Sequence, residues 1–160
     1  MAANKAVVHI SASVLPDNLK RTVSGSISHD LNEGPGDNDK WIYYLASIGT
    51  ASEAVLNGTP SFLSSAGDST ANVASTDDAQ FVILHHTGYQ SDGTTKTPDN
   101  AYLYFNIHNA TAVAGAANMW LKPGEVWWGR LHSNDIAHVV AIASVGTINV
   151  AMYAIVDDIS

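Results

Sequence analysis

Residues 119–131, with the sequence MWLKPGEVWWGRL, are the starting point for interpreting this chain. The stretch holds three of the four tryptophans and places Pro123 and Gly124 at the second and third positions of a turn, as a type II turn favours. Residues 126–131 are then typical of a strand, and two long apolar runs follow them. The C-terminal third is therefore predicted to be the spine of an all-β fold.

Composition and charge narrow the class of protein. The 160 residues suit one domain spanning 1–160, large enough to build a core, and the absence of cysteine excludes disulfides and thiolate chemistry. A net charge of −8 disfavours nucleic acid and an acidic membrane surface as partners, because both are negatively charged. No apolar run reaches the length of a membrane span and no secretory signal pattern is present, so we expect synthesis in the cytoplasm.

Short β-prone runs separated by turn residues extend through most of the sequence. Residues 21–28 alternate valine, glycine and isoleucine with serine and threonine, which is the period of a half-buried strand. We predict about nine or ten short strands in an all-β fold, a β-sandwich that is jelly-roll-like. The clearest runs are 6–15, 21–28, 41–48, 80–86, 101–108, 126–131, 136–144 and 147–156.

Two pairs of these runs are predicted to form hairpins. Runs 80–86 and 101–108 are joined by a polar loop, and runs 136–144 and 147–156 are separated by a Val-Gly pair. The run 147–156 is apolar at both odd and even positions, so we expect this strand to be covered on both sides.

Two polar segments are predicted to be loops. Segment 29–39 is rich in acids, but a calcium-binding loop of the EF-hand type beginning at Asp30 would place Trp41, not a carboxylate, at its twelfth position. Segment 66–78 consists mainly of serine, threonine, aspartate and alanine, and irregular segments of this length are often functional or mobile.

No catalytic or cofactor constellation is apparent. Seven histidines are present, but none forms a His-x-His or HExxH motif, and His85 and His86 would point to opposite faces of a strand. Neither a Gly-x-Ser-x-Gly motif nor a Gly-rich phosphate loop occurs. We therefore expect a protein that is not an enzyme and that uses no cofactor and no metal. A metal-dependent enzyme of the β-barrel type is kept as an alternative.

The adjacent Trp127 and Trp128 carry most of the aromatic signal. On a strand they point to opposite faces, so they cannot both be core residues of a half-buried sheet. Three explanations stay open: a strand between two packed layers, burial of one indole against another subunit, or stacking of one on a sugar. The residues expected at an interface are Trp41, Trp120, Trp127, Trp128 and Arg130.

The C-terminal region contains a Leu-x-Pro-Gly-Glu turn at 121–125 followed by the run AIASVGT at 141–147. This pattern resembles small structural proteins of tailed bacteriophages, and residues 41–53 are similar in style. The resemblance implies a virion component, most like a capsid decoration (cement) protein on the outer capsid surface. It implies no particular functional residue, because the shared positions are of the structural kind.

We therefore expect a non-enzymatic bacteriophage protein that stabilises the capsid by binding the major capsid protein as a homotrimer. The alternative is a carbohydrate-binding or receptor-binding tail module that uses exposed tryptophans.

Overall fold

The computed structural model is an antiparallel all-β sandwich, as the sequence predicted. It describes residues 5–14, 21–30, 33–34, 37–38, 40–57, 61–62, 73, 76–107, 112, 119–131 and 135–157. The strands in these ranges are β1 (Lys5–Val14), β2 (Arg21–Asp30), β3 (Glu33–Gly34), β4 (Asp37–Asn38), β5 (Lys40–Ile48), β6 (Glu53–Ala54), β7 (Ser61–Phe62), β8 (Asp78–His86), β9 (Leu103–Asn106), β10 (Met119–Leu121), β11 (Val126–Arg130), β12 (Val140–Ala143) and β13 (Ile148–Asp157). Nine of these strands have three or more residues, in agreement with the nine or ten expected.

Two larger sheets form the sandwich. The five-stranded sheet has the order β11-β8-β13-β5-β7, and the four-stranded sheet has the order β10-β9-β12-β6. Strands β1 and β2 pair over ten residues each as a separate ribbon, and β3 pairs with β4. This arrangement confirms the all-β sandwich, while the jelly-roll connectivity and the single-domain boundary stay predictions.

The core lies between the inner faces of the two larger sheets. Strand β13 is central to it, since it pairs with β5 on one side and β8 on the other. Even-numbered residues of β13 point inward and odd-numbered ones point outward, as the alternation predicted. The largest fully buried core side chains of the two sheets are Ile42, Ile48, Leu84, Leu103, Phe105, Ile148 and Met152.

The stretch 119–131 connects the two sheets. Strand β10 ends at Leu121 in the four-stranded sheet, and β11 begins at Val126 in the five-stranded sheet. Between them Gly124 has a φ of 85°, which glycine adopts readily, and the Glu125 N–H donates to the Lys122 carbonyl at 3.0 Å. The predicted Pro-Gly turn is confirmed, and it carries the chain from one layer of the sandwich to the other.

Both predicted hairpins are wrong. Strands β8 and β9 lie in different sheets, and so do β12 and β13. The bend at Gly146, whose φ is 64°, directs the chain into the opposite layer, where β13 finds β5 and β8 as partners. The first part of the run 136–144 also differs from a strand, because Ile136–His138 forms a short 3-10 helix.

The two predicted loops have separate outcomes. In segment 29–39, strand β2 continues to Asp30 and the short β3–β4 pair follows, so this segment is more regular than a loop. Most of segment 66–78 lies outside the described residues, and Asp78 begins β8.

Candidate functional site

The outer face of the five-stranded sheet carries three rows of side chains. Register across β11, β8, β13 and β5 aligns residues that point away from the core. The first row is Arg130, Phe81, Ile155 and Trp41; the second is Trp128, Ile83, Tyr153 and Tyr43; the third is Val126, His85, Ala151 and Leu45. Eight of these twelve side chains are apolar or tryptophan and two more are tyrosine, so this outer face is much more apolar than the solvated face of a sheet.

The β1–β2 ribbon covers the middle of the first row and leaves Arg130 exposed at its edge. Phe81 and Ile155 are each only 2% exposed, and Val8 and Ile27 pack against them. Val8 and Ile27 are paired directly across the ribbon, so they form one apolar contact. The ribbon thus supplies a second small core on the outer side of the sheet.

The second and third rows form a partly exposed surface that we call the apolar strip, within which Ala151 is only 5% exposed. Its most exposed members are Leu45 (49%), Val126 (50%) and Trp128 (42%). Tyr43 and Tyr153 lie at its centre with their ring centroids 4.9 Å apart. Several large apolar side chains exposed on one sheet face usually mark a site of interaction.

The structure separates the five residues expected at an interface. Trp41, Trp128 and Arg130 share the outer face of the five-stranded sheet, with Trp41 at the covered end and the other two on the edge strand β11. Trp120 lies on the opposite sheet. Trp127 has to be removed from the set, because its side chain packs against the core.

The inward position of Trp127 has a clear structural cause. Its ring lies 5.3 Å from the ring of Phe105 in the opposite sheet, at an interplanar angle of 57°. Gly129 follows on the same face of β11, and a Cβ at that position would lie 2.8 Å from the indole ring of Trp127. Glycine at 129 therefore leaves the space that the inward indole occupies.

A second exposed cluster lies on the outer face of the four-stranded sheet. Trp120 is 47% exposed and pairs in register with Tyr104 of β9. The Tyr102 ring is 5.2 Å from Trp120 at 78° and 6.3 Å from Tyr104 at 60°, both edge-on arrangements that aromatic rings favour. We call Tyr102, Tyr104 and Trp120 the aromatic platform.

Hydrogen bonds hold the platform in place. The Tyr102 N–H donates to Ser144 Oγ at 2.8 Å, and the Ser144 N–H donates to the Tyr102 carbonyl at 2.8 Å. Lys122 Nζ lies 5.7 Å from the Trp120 ring centroid, within cation–π range. The sequence-based interface set contained Trp120 but neither tyrosine, although the Tyr-x-Tyr spacing at 102 and 104 places both on one strand face.

His86 is a buried ionisable group beneath this region. Its Nδ1 accepts from the Gly88 N–H at 3.1 Å, so its Nε2 carries the proton and donates to the Ala101 carbonyl at 2.9 Å. Burial is the main cause that lowers the pKa of His86 from its ordinary value. The neutral ring fixes the loop after β8 to the segment before β9.

Asp92 performs a similar structural task in the exposed loop between β8 and β9. Its carboxylate accepts from the Thr95 hydroxyl and from the backbone N–H groups of Thr95 and Thr94. These bonds, led by the Thr95 hydroxyl, lower the pKa of Asp92 to about 2. The donors are all local, so this acid orders its own turn.

Among the described residues, no three His, Asp or Glu side chains converge to hold a metal ion. The described part of the chain contains no helix that is long and apolar enough to span a membrane. Comparisons with protein-family models, curated proteins and solved structures gave no match. We therefore argue function from the residues of this chain alone.

Proposed function

We propose that this chain is a non-enzymatic structural protein of a bacteriophage virion. In this proposal it decorates the outer capsid surface as a homotrimer and stabilises the shell by binding the major capsid protein. The resemblance at 121–125 and 141–147 supports the virion assignment, and the apolar strip supports a function based on protein contacts.

The observation that carries the proposal is the exposure of the apolar strip. Leu45, Val126 and Trp128 leave nearly half of their surface in water, although each extends from a sheet whose other face is a packed core. Burial of such surface is the main favourable term in protein association, at about 25 cal/mol per Å². Covering the strip with another protein surface therefore removes an unfavourable exposure.

The composition of the strip also fits a protein interface. Trp128 and Arg130 are residue types enriched at the energetic centres of interfaces, and both lie on the edge strand β11. His85 lies half-buried between Val126 and Ala151 in the third row of the strip. The anchors are thus mainly apolar, with the guanidinium of Arg130 at the border.

Trimerisation would make weak individual contacts effective on a capsid. Three linked copies bind neighbouring capsid subunits with a high effective concentration once the first copy is bound. A ligand that binds the assembled shell and not its separated subunits shifts the equilibrium towards the shell by mass action. Stabilisation therefore follows from binding alone and needs no chemical step.

Sedimentation with capsids tests this proposal. Shells assembled from the major capsid protein of the same genome are mixed with the wild-type chain and pelleted, and their melting temperature is recorded. We expect the protein to pellet with the shells and to raise their melting temperature. A wild-type protein that stays in the supernatant and leaves shell melting unchanged would contradict the proposal.

Matched variants locate the contact. Trp128→Ser and Val126→Ser change the strip, whereas Val145→Ser removes a comparably exposed side chain (44%) from a turn elsewhere. We expect the strip variants to weaken shell binding by roughly tenfold or more, because a central tryptophan typically contributes about 2 kcal/mol or more to an interface. Val145→Ser is expected to bind like the wild type.

A further inference from the structure

We propose that the aromatic platform is a binding site for an acidic pyranose, such as a hexuronic acid. In this site the sugar ring stacks on Trp120 and its carboxylate pairs with the Lys122 ammonium. The site lies on the four-stranded sheet and the apolar strip on the five-stranded sheet, so the proposal does not depend on the capsid function.

The size of the platform favours a small ligand. Three rings, of which Trp120 alone is strongly exposed, offer far less than the roughly 800 Å² per partner of a stable protein interface. One indole flanked by two phenols does match the dimensions of one or two sugar rings. The occupant is therefore expected to be a small molecule with one broad face.

The chemistry of the rings favours a sugar. A pyranose has a face of C–H groups that packs on an aromatic face, and hydroxyl groups at its edge that need hydrogen-bond partners. Trp120 provides the aromatic surface, and the phenol groups of Tyr102 and Tyr104 both donate and accept hydrogen bonds. The backbone bonds between Tyr102 and Ser144 fix one wall of the site before any ligand binds.

The charge at the platform favours an acidic sugar. Lys122 Nζ lies over the Trp120 ring, 5.7 Å from its centroid, so a stacked sugar displaces this flexible side chain and leaves its ammonium group at the edge of the ring. The backbone of Lys122 is held by the turn that follows it, because the Lys122 backbone N–H donates to Glu125 Oε2 at 2.8 Å. The net charge of −8 opposes a highly charged polyanion, and a single carboxylate next to a single ammonium is the best match.

Titration with two trisaccharides tests the site. The full-length protein is titrated by NMR with a uronic-acid trisaccharide and with the neutral trisaccharide of the same linkage. We expect the acidic sugar to bind about threefold or more tightly than the neutral one at low salt, and this preference to fall as salt rises. The proposal would be overturned if neither sugar binds.

Three variants separate the contributions. Trp120→Ala is expected to weaken both sugars by about tenfold, while Trp120→Phe keeps part of the affinity and guards against a folding defect. Lys122→Gln is expected to bind both sugars equally, because the ion pair is lost. A Trp120→Ala protein that binds like the wild type, or a Lys122→Gln protein that keeps the preference, would each contradict the site.

Trp128→Ser distinguishes this proposal from the capsid function. It changes the opposite sheet, so we expect unchanged sugar affinity together with weakened shell binding. Loss of shell binding in Trp120→Ala, without sugar binding by the wild type, would identify the platform as a protein contact and overturn the sugar site.

Discussion

The two outer faces of the sandwich differ in the kind of surface that they expose. The five-stranded sheet presents a broad apolar strip whose neighbouring row is already covered by the β1–β2 ribbon. The four-stranded sheet presents a small aromatic platform with a lysine at its border. A broad and mainly apolar surface suits a protein partner, whereas a small aromatic surface bordered by a charge suits a small ligand.

One short stretch supplies a tryptophan to each face and a third to the core. Trp120 lies on the four-stranded sheet, the Pro123–Gly124 turn crosses between the layers, and β11 then places Trp127 inward and Trp128 outward. Alternation along a strand and one turn between sheets are enough to distribute three similar side chains among three environments. The position of the turn, and not residue type, therefore decides the role of each indole.

The largest effect on stability is expected from Trp127→Ala, which removes the side chain that packs between the two sheets. Loss of the contact with Phe105 should lower the free energy of unfolding by about 3 kcal/mol, because a large aromatic is truncated in the core. Chemical denaturation measures the loss. Trp128→Ala, studied at a concentration where the protein is monomeric, is the control and should cost less than about 1 kcal/mol; equal losses would contradict the inward assignment.

The next effect is expected from Gly129→Ala. The added Cβ meets the Trp127 ring at 2.8 Å, and that ring cannot easily move because it packs on Phe105, so we expect a loss of about 1–3 kcal/mol. Gly25→Ala is the matched control, since a Cβ there has no atom within 4 Å. In the double variant Trp127→Leu/Gly129→Ala, the smaller leucine side chain should relieve the loss of stability caused by Gly129→Ala. If it does not, the steric explanation fails.

A smaller effect is expected from Ile27→Ala, which uncovers the first row of the five-stranded sheet. Ile27 is half-buried against Phe81 and Ile155, so we expect a loss of about 1 kcal/mol and a larger apolar surface that binds a hydrophobic dye. Val7→Ala, on the outward face of the ribbon, should change neither quantity. Unchanged dye binding in Ile27→Ala would show that the ribbon does not cover the sheet in solution.

The smallest effect is expected from pH and concerns the loop anchored by His86. The folded pKa of this histidine lies below its ordinary value of 6.5, so the unfolded chain binds the proton more readily. The contribution of His86 to stability is therefore full above about pH 6.5 and is lost as the pH falls below that value towards the lower folded pKa, so the protein should be less stable at pH 6 than at pH 7. Urea midpoints at both pH values should show a smaller difference in His86→Gln than in the wild type, and equal differences would exclude this cause.

Sequence patterns predicted the strands well but not their partners. Alternation in 21–28 and the apolar run at 147–156 reported local backbone geometry and the facing of side chains, and both strands are present. Pairing depends on contacts between distant residues, which periodicity does not contain. The adjacent runs on either side of Gly146 therefore predicted a hairpin, although the bend there places the two strands in separate sheets.

The candidate sites were predicted only in part for a similar reason. Neighbouring tryptophans necessarily face opposite sides, but the sequence does not reveal which side is inward. Gly129, two residues after Trp127, was the available signal, because a missing side chain on the same face leaves room for a ring. The platform needed the register between Trp120 and Tyr104, which only the assembled sheet provides.

Binding of the purified trimer to capsids tests the central claim most directly, since the claim is that the apolar strip is covered by the capsid surface. Size-exclusion chromatography with light scattering should give about three times the 16.9 kDa of the chain for the wild type and for Trp128→Ser alike, and Trp128→Ser should bind the shells more weakly than the wild type. Trp120→Ser should keep the wild-type mass. A wild-type mass of one chain at all concentrations, together with no binding to capsids, would contradict the account.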